Sequence, residues 1–145
     1  PNTGNIARLC AATGTILHLV EPLGFRLDDR KLRRAGLDYW PQVALRRHTS
    51  LEEFMRSEAP KRFFLLSTSG YVAYTTVKFC AGDYLIFGSE SRGLPPDFIE
   101  SNRKSVIGIP MRAECVRSLN LATAAAVVLY EGLRQTQIEH EKGRP

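Results

Sequence analysis

Val106-Ile-Gly-Ile-Pro-Met-Arg-Ala-Glu-Cys-Val-Arg-Ser-Leu-Asn-Leu121 decides how the rest of the chain is read. The apolar run Val106 to Ile109 reads as a short strand that Pro110 ends, and a polar loop follows. Ser118 reads as the N-cap that opens a helix, whose early residues Leu121-Ala-Thr-Ala-Ala-Ala-Val-Val-Leu-Tyr130 are nearly all apolar. Open α/β sheets bind their ligands where a strand hands over to a helix in this way, so the loop from Pro110 to Asn120 is the expected ligand site.

Working outward from that loop, strands and helices alternate. Pro1-Asn-Thr-Gly-Asn5 is turn chemistry, and Ile6 to Thr13 reads as a helix stopped by Gly14. Thr15 to Val20 is strand-like and is ended by Pro22 and Gly24. Asp28 can cap a basic helix from Asp29 to Ala35, and Val43 to Arg47 fits a strand. Ser50-Leu-Glu-Glu53 is a capping box that predicts a helix over Leu51 to Glu58. Arg62 to Ser67 and Asp83 to Gly88 are further strands, and a short helix runs from Pro96 to about Ser101. This order predicts an α/β fold with a mostly parallel sheet flanked by helices on both faces.

At 145 residues the chain is long enough for one domain with a real core. With 43% hydrophobic and 24% charged residues it has the composition of an ordinary globular protein, which excludes a disordered or low-complexity chain. A net charge of +5 favours a polyanionic partner such as RNA, although many basic domains bind none. Cys10, Cys80 and Cys115 form no C-x-x-C pair, and their odd number argues against a disulfide framework, which points to a reducing, cytoplasmic setting. His18, His48 and His140 lie far from one another in sequence, so no zinc-ligand spacing is visible and no metal is expected. No apolar run approaches the ~20 residues of a membrane span. The first residues already read as a turn into a helix, so a preceding segment is expected.

Phosphate-loop chemistry does not fit. No G-x-G-x-x-G follows a strand, and Gly88-Ser-Glu-Ser-Arg-Gly93 is followed by Leu94 and Pro95 where a P-loop requires Lys and Ser or Thr. No G-x-S-x-G elbow marks a hydrolase serine. What remains is a set of loops at successive strand ends: Asn2 to Asn5, Ser67 to Gly70, Gly88 to Pro95 and Pro110 to Asn120.

Asn2-Thr-Gly-Asn-Ile-Ala-Arg8, Phe87-Gly-Ser-Glu-Ser-Arg-Gly-Leu-Pro95, and Ile109-Pro-Met111 with Arg117-Ser-Leu-Asn-Leu121 resemble the three motifs of the SPOUT methyltransferases. Arg33-Arg-Ala-Gly-Leu-Asp-Tyr39 and Leu129-Tyr-Glu131 with Arg134-Gln135 are similar to the branch that methylates the ribose 2′-hydroxyl of the tRNA wobble nucleotide. The likeness runs in order from Pro1 to about Gln135. It implies a single domain over residues 1–145 whose first strand lies upstream of Pro1, and a C-terminal deep trefoil knot, an exception to the rule that chains avoid knots. It also implies a homodimer that binds S-adenosylmethionine in the knot, releases S-adenosylhomocysteine and acts on the tRNA anticodon stem-loop. Two departures stand out: the first strand is missing, and the loop from Met111 to Ser118 is about a residue longer than expected.

The cofactor residues implied by the resemblance are Leu66, Gly88, Ile109, Met111, Ser118 and Leu119. Apolar strand-end residues can form a flat slot for adenine, and Gly88 leaves room for a ribose. Each also has a plain structural reading: Leu66 and Ile109 as core strand residues, Gly88 as a turn former, Ser118 as an N-cap.

The catalytic set implied is Arg8, Glu90, Asn120, Ser118 and Asn2, with Arg8 activating the hydroxyl. A guanidinium is a poor base in water, and an RNA phosphate would stabilise its cation, so Arg8 is expected to clamp phosphate and polarise the hydroxyl. Asn2 and Asn120 can hold loops or substrate, and Glu90 can pair with Arg8 or orient the hydroxyl. Their plain readings are a helix cap, a first-turn helix residue and a surface ion-pair partner.

Arg30, Lys31, Arg33 and Arg34, with Arg46 and Arg47 nearby, offer phosphate contacts, and Tyr39 and Trp40 offer stacking surfaces for splayed bases. A solvated helix face with core-packed aromatics explains the same residues equally well. Ribosomal RNA is the rival substrate, and an RNA-binding protein of this fold without catalysis is the rival class. The nearly all-apolar start of the last helix predicts burial by the knot and a partner subunit, followed after Gln135 by a solvated tail.

Overall fold

The structure, a computed structural model, describes residues 2–22, 42–70, 72–112 and 114–141, the last four by backbone alone. Their contacts divide the chain into two compact units, Pro1–Ala59 and Pro60–Pro145.

The first unit contains α1 (Asn2–Thr13), β1 (Leu17–Val20), β2 (Leu45–His48) and α2 (Leu51–Glu58). Helix α1 starts at Asn2 rather than Ile6. The residues read as a turn form its first helical turn, and Ala7 and Cys10 are buried with Ile6 against Leu17, Leu19, Val43 and Leu45. Thr15 belongs to the helix end and not to a strand, because its N–H donates to the Cys10 carbonyl at 3.0 Å. The strand therefore begins at Leu17. Strand β2 is likewise shifted to Leu45–His48, in parallel register with β1 (Leu17 opposite Leu45, Val20 opposite His48). Helix α2 has the expected bounds, and the Ser50 hydroxyl accepts the Glu53 N–H at 3.0 Å, as the capping box requires. The expected helix from Asp29 to Ala35 lies outside the described residues.

The second unit contains β3 (Phe63–Leu66), β4 (Val72–Ala73), β5 (Tyr84–Phe87), α3 (Pro96–Ser101), β6 (Val106–Gly108) and α4 (Leu121–Glu141), with 3-10 turns at Tyr74–Thr76 and Arg103–Ser105. Its strands lie in the order β4-β6-β3-β5, all parallel. The two-residue edge strand β4 carries too little pattern to be seen in the sequence.

Alternation along β3 sends its side chains to opposite faces of the sheet. Leu65 is fully buried with Leu94 and Val106 under Phe63, Phe98 and Ile99, the last two from α3. Phe64 and Leu66 pack with Phe79, Ile107 and Val128, the last from α4. The expected α/β architecture, parallel strands with helices on both faces, is present in this unit. The described strands form two sheets, however, β1-β2 and the four-stranded one, where one sheet was expected.

Helix α4 begins at Leu121. Val128 is fully buried and Ala125 nearly so, while Tyr130 is 54% exposed. The nearly all-apolar run is thus buried on one side within this chain. Among the described residues no helix is long and apolar enough to cross a membrane.

Candidate active site

Parallel register brings three loops to one edge of the second unit. Leu66 stands opposite both Phe87 and Ile107, so Ser67, Gly88 and Gly108 follow level with one another on three adjacent strands. The loops Ser67–Gly70, Gly88–Leu94 and Ile109–Asn120 leave from these neighbouring ends, as expected for ligand loops in a parallel sheet.

The first two loops are held by backbone bonds and by serine hydroxyls. The Ser67 N–H donates to the Ile107 carbonyl at 3.1 Å, and the Gly70 N–H to the Ser67 carbonyl at 3.1 Å. The Ser67 hydroxyl accepts the Ser69 N–H at 3.2 Å, and the two hydroxyls lie 2.8 Å apart. Gly70 lies so close to β6 that a Cβ there would stand 2.5 Å from the Ile107 carbonyl carbon. In the second loop the Gly93 N–H donates to the Ser89 carbonyl at 2.8 Å, and the Arg92 N–H to the Ser89 hydroxyl at 3.2 Å. A Cβ on Gly88 would lie 2.1 Å from the carbonyl carbon of Gly93. Gly88 is therefore required by the fold-back of its own loop, before any ligand is considered.

The third loop corrects the helix start. Asn120, not Ser118, caps α4: its side-chain oxygen accepts the Thr123 N–H at 3.1 Å, and its carbonyl accepts the Ala124 N–H at 2.9 Å. Ser118 is exposed two residues earlier, and Leu119 and Met111 are half-buried. Leu66 and Ile109 pack against the Phe79–Ile107–Val128 core, so their side chains do structural work. Glu90 is exposed at the turn of the second loop. In the first unit, Asn2 is half-buried at the start of α1, and Arg8 is exposed, next to the buried Ala7. Arg30, Lys31, Arg33, Arg34, Tyr39 and Trp40 lie outside the described residues.

A model of the SpoU rRNA Methylase family matches residues 1–130. The chain belongs to the SpoU methylase family. A relative from Aeromonas hydrophila, named tRNA (cytidine(34)-2′-O)-methyltransferase, is 52% identical over 136 residues, 93% of this chain and 86% of the relative. A solved structure described as giving structural insights into the 2-OH methylation of C/U34 on tRNA superposes with a TM-score of 0.83 at 50% identity, over 92% of this chain and 87% of that one. An AdoMet-bound rRNA methyltransferase from Sinorhizobium meliloti superposes with a TM-score of 0.78 at 26% identity, over 92% of this chain and 51% of that one.

Met111 and Leu119, both half-buried, belong to the third of these loops. Gln135 is a structural contributor that the sequence marked only as part of a family-like run. Its side-chain oxygen accepts the Phe79 N–H at 2.7 Å, and its amide donates to the Val77 carbonyl at 2.9 Å and to Glu131 at 2.8 Å. It ties the segment before β5 to α4. Glu131 also receives two bonds from Arg134, at 2.8 and 3.0 Å. The Arg134 guanidinium, followed by Gln135, holds the Glu131 carboxyl down at about 2.

Proposed function

We propose that this chain is an S-adenosylmethionine-dependent methyltransferase that methylates the ribose 2′-hydroxyl of nucleotide 34, the wobble position of the tRNA anticodon. The near-full-length similarity to an enzyme named for that reaction carries this reading. The edge formed by three loops in the second unit supports it.

When bound, S-adenosylmethionine supplies a methyl group on a sulfonium, already a good leaving group. The protein's contribution is then mainly placement. Leu66, Gly88, Ile109, Met111, Ser118 and Leu119 would hold the cofactor, Leu66 and Ile109 chiefly through backbone groups. Arg8 clamps an RNA phosphate and polarises the ribose hydroxyl, and Glu90 orients the hydroxyl. Asn120 fixes the start of α4 beside the cofactor loop, and Asn2 steadies the start of the Arg8 helix. Arg30, Lys31, Arg33, Arg34 and Tyr39 bind the anticodon stem-loop.

The trefoil knot, the homodimer and the cytoplasmic setting belong to the same reading. Placement of β6 between β3 and β4, with Gly70 packed on it, is consistent with a threaded C-terminal segment. Exposed Tyr130 on α4 suits a partner subunit.

Unmodified tRNA, S-adenosylmethionine and nucleoside mass spectrometry mapped to position test the reading. A new 2′-O-methyl at nucleotide 34, lost in Arg8→Ala, is expected. Methylation of ribosomal RNA alone would move the substrate. Cofactor binding absent by calorimetry would leave an RNA-binding protein. Arg8→Lys keeps a cation and should retain part of the activity. A dead Lys variant that still binds cofactor and RNA would refute the clamp.

A further inference from the structure

In the first unit, on the opposite face of β1 and β2 from α1, four side chains with metal-ligating chemistry converge. His18 on β1 and His48 on β2 face each other with Nδ1 of the first 2.9 Å from Nε2 of the second. His48 Nδ1 lies 2.8 Å from Glu53 Oε2 on α2. Glu58, in the last turn of α2, lies 3.9 Å from His18 Nε2 and 2.9 Å from Arg46 Nη1. One ligand atom from each of His18, His48 and Glu58 lies within 4.8 Å of the other two. We propose that His18, His48 and Glu58 form a binding site for a divalent transition-metal ion of the zinc class.

Three features of the site favour an ion. The Glu53 carboxylate takes the His48 Nδ1–H, which fixes the tautomer and leaves the Nε2 lone pair directed at the gap; an imidazole ligand is commonly oriented by a carboxylate in this way. The ligands sit on two hydrogen-bonded strands and a capped helix, so they are held before the ion arrives. His48 and Glu58 side chains are 4% and 12% exposed, and the Phe54 ring stands edge-on to both imidazoles, at 5.3 and 5.1 Å between centroids. This shielding lowers the local dielectric and strengthens ion–ligand attraction.

Zn–N bonds of about 2.0–2.1 Å put two tetrahedral ligands about 3.3 Å apart, so the imidazole pair must open by a few tenths of an ångström and turn toward a shared point, and the Glu58 carboxylate, 3.9 Å from His18 Nε2, must swing in. Without an ion, a ring hydrogen of His18 bridges the two nitrogens. With one, that hydrogen moves to His18 Nε2, the nitrogen that faces Glu58. Arg46, whose side chain is 54% exposed, can leave Glu58 for solvent. Three protein ligands leave a fourth position to water.

The test is a cobalt(II) titration of the metal-free full chain carrying Cys80→Ser, Cys115→Ser and His140→Gln. Saturable binding of one ion, with d–d absorption and no thiolate charge-transfer band, is expected. Zinc should displace the cobalt and raise Tm by several degrees. Glu53→Gln should weaken binding about 10–100-fold, and His18→Gln should abolish it. If His18→Gln fails to fold, Glu58→Gln, at the end of a helix, serves as the ligand variant. No saturable binding, or equal affinity after loss of either ligand, would overturn the proposal and leave the pair joined by a hydrogen alone.

Discussion

Gln135→Ala is the most direct test of how α4 is tied to the sheet. The side chain satisfies two backbone groups of one segment at once, the Phe79 N–H and the Val77 carbonyl. Phe79 is only 8% exposed, so water cannot easily replace the lost acceptor, whereas half-buried Val77 can recover part of its bond. A buried polar group left unsatisfied costs about 1–3 kcal/mol, which sets the expected loss at about 2–4 kcal/mol once the Glu131 contact is included. At 145 residues this corresponds to a fall in Tm of very roughly 4–16 °C. Urea unfolding gives the total, and hydrogen exchange gives the location: the Phe79 amide should exchange about 30-fold faster for every 2 kcal/mol lost. Gln135→Glu should do no better, since it keeps the acceptor but removes the donor and sets a second carboxylate against Glu131. A Gln135→Ala variant within about 0.5 kcal/mol of the parent, with unchanged exchange at Phe79, would show that the tie contributes nothing.

Gly70→Ala places a Cβ within 2.7 Å of three backbone atoms of Ile107 and Gly108, none of which can rotate away; stability should fall by about 1–3 kcal/mol and cofactor affinity with it, and calorimetry giving parent values for both would show that the loop moves freely. Burial pushes the Cys10 thiol up to about 11, so iodoacetamide at pH 8 should label exposed Cys80 and Cys115 quickly and leave Cys10 unmodified; a third rapid label by mass spectrometry would contradict the packing of α1. Glu131 has a folded pKa near 2 against an ordinary 4.5, so its contribution is complete above about pH 4.5 and lost as pH falls towards 2. Glu131→Gln should therefore flatten the dependence of Tm on pH between 5 and 2, and an unchanged slope would refute the assignment.

The loop edge was legible in the sequence because each part carries its own local signal. The apolar run before Pro110 marks β6, Pro96 opens α3, and glycines mark loops that fold back on a neighbour. The errors lie where a residue answers to a partner outside its own run. Thr15 has a strand former's β-branched side chain, yet its N–H completes the last turn of α1. Ser118 has the chemistry of a cap, but Asn120 stands where the helix begins and takes that role. Gly88 is fixed by Gly93, five residues away, so its place in the motif follows from backbone packing as well as from any ligand.

His18 and His48 show the same limit at longer range. A rule based on spacing finds ligands that share a turn or a helix face, because those distances are set by local geometry. Parallel strands obey no such rule. The connection between β1 and β2 can be of any length, and register alone places His48 opposite Val20, two residues beyond His18. Thirty residues of separation therefore said nothing about distance in space, and an inference of no metal site drawn from spacing holds only for ligands within one local element. In a parallel fold the place to look is the set of side chains at alternate positions on paired strands. Here that face carries His18 and His48, and α2 brings Glu53 and Glu58 to meet them.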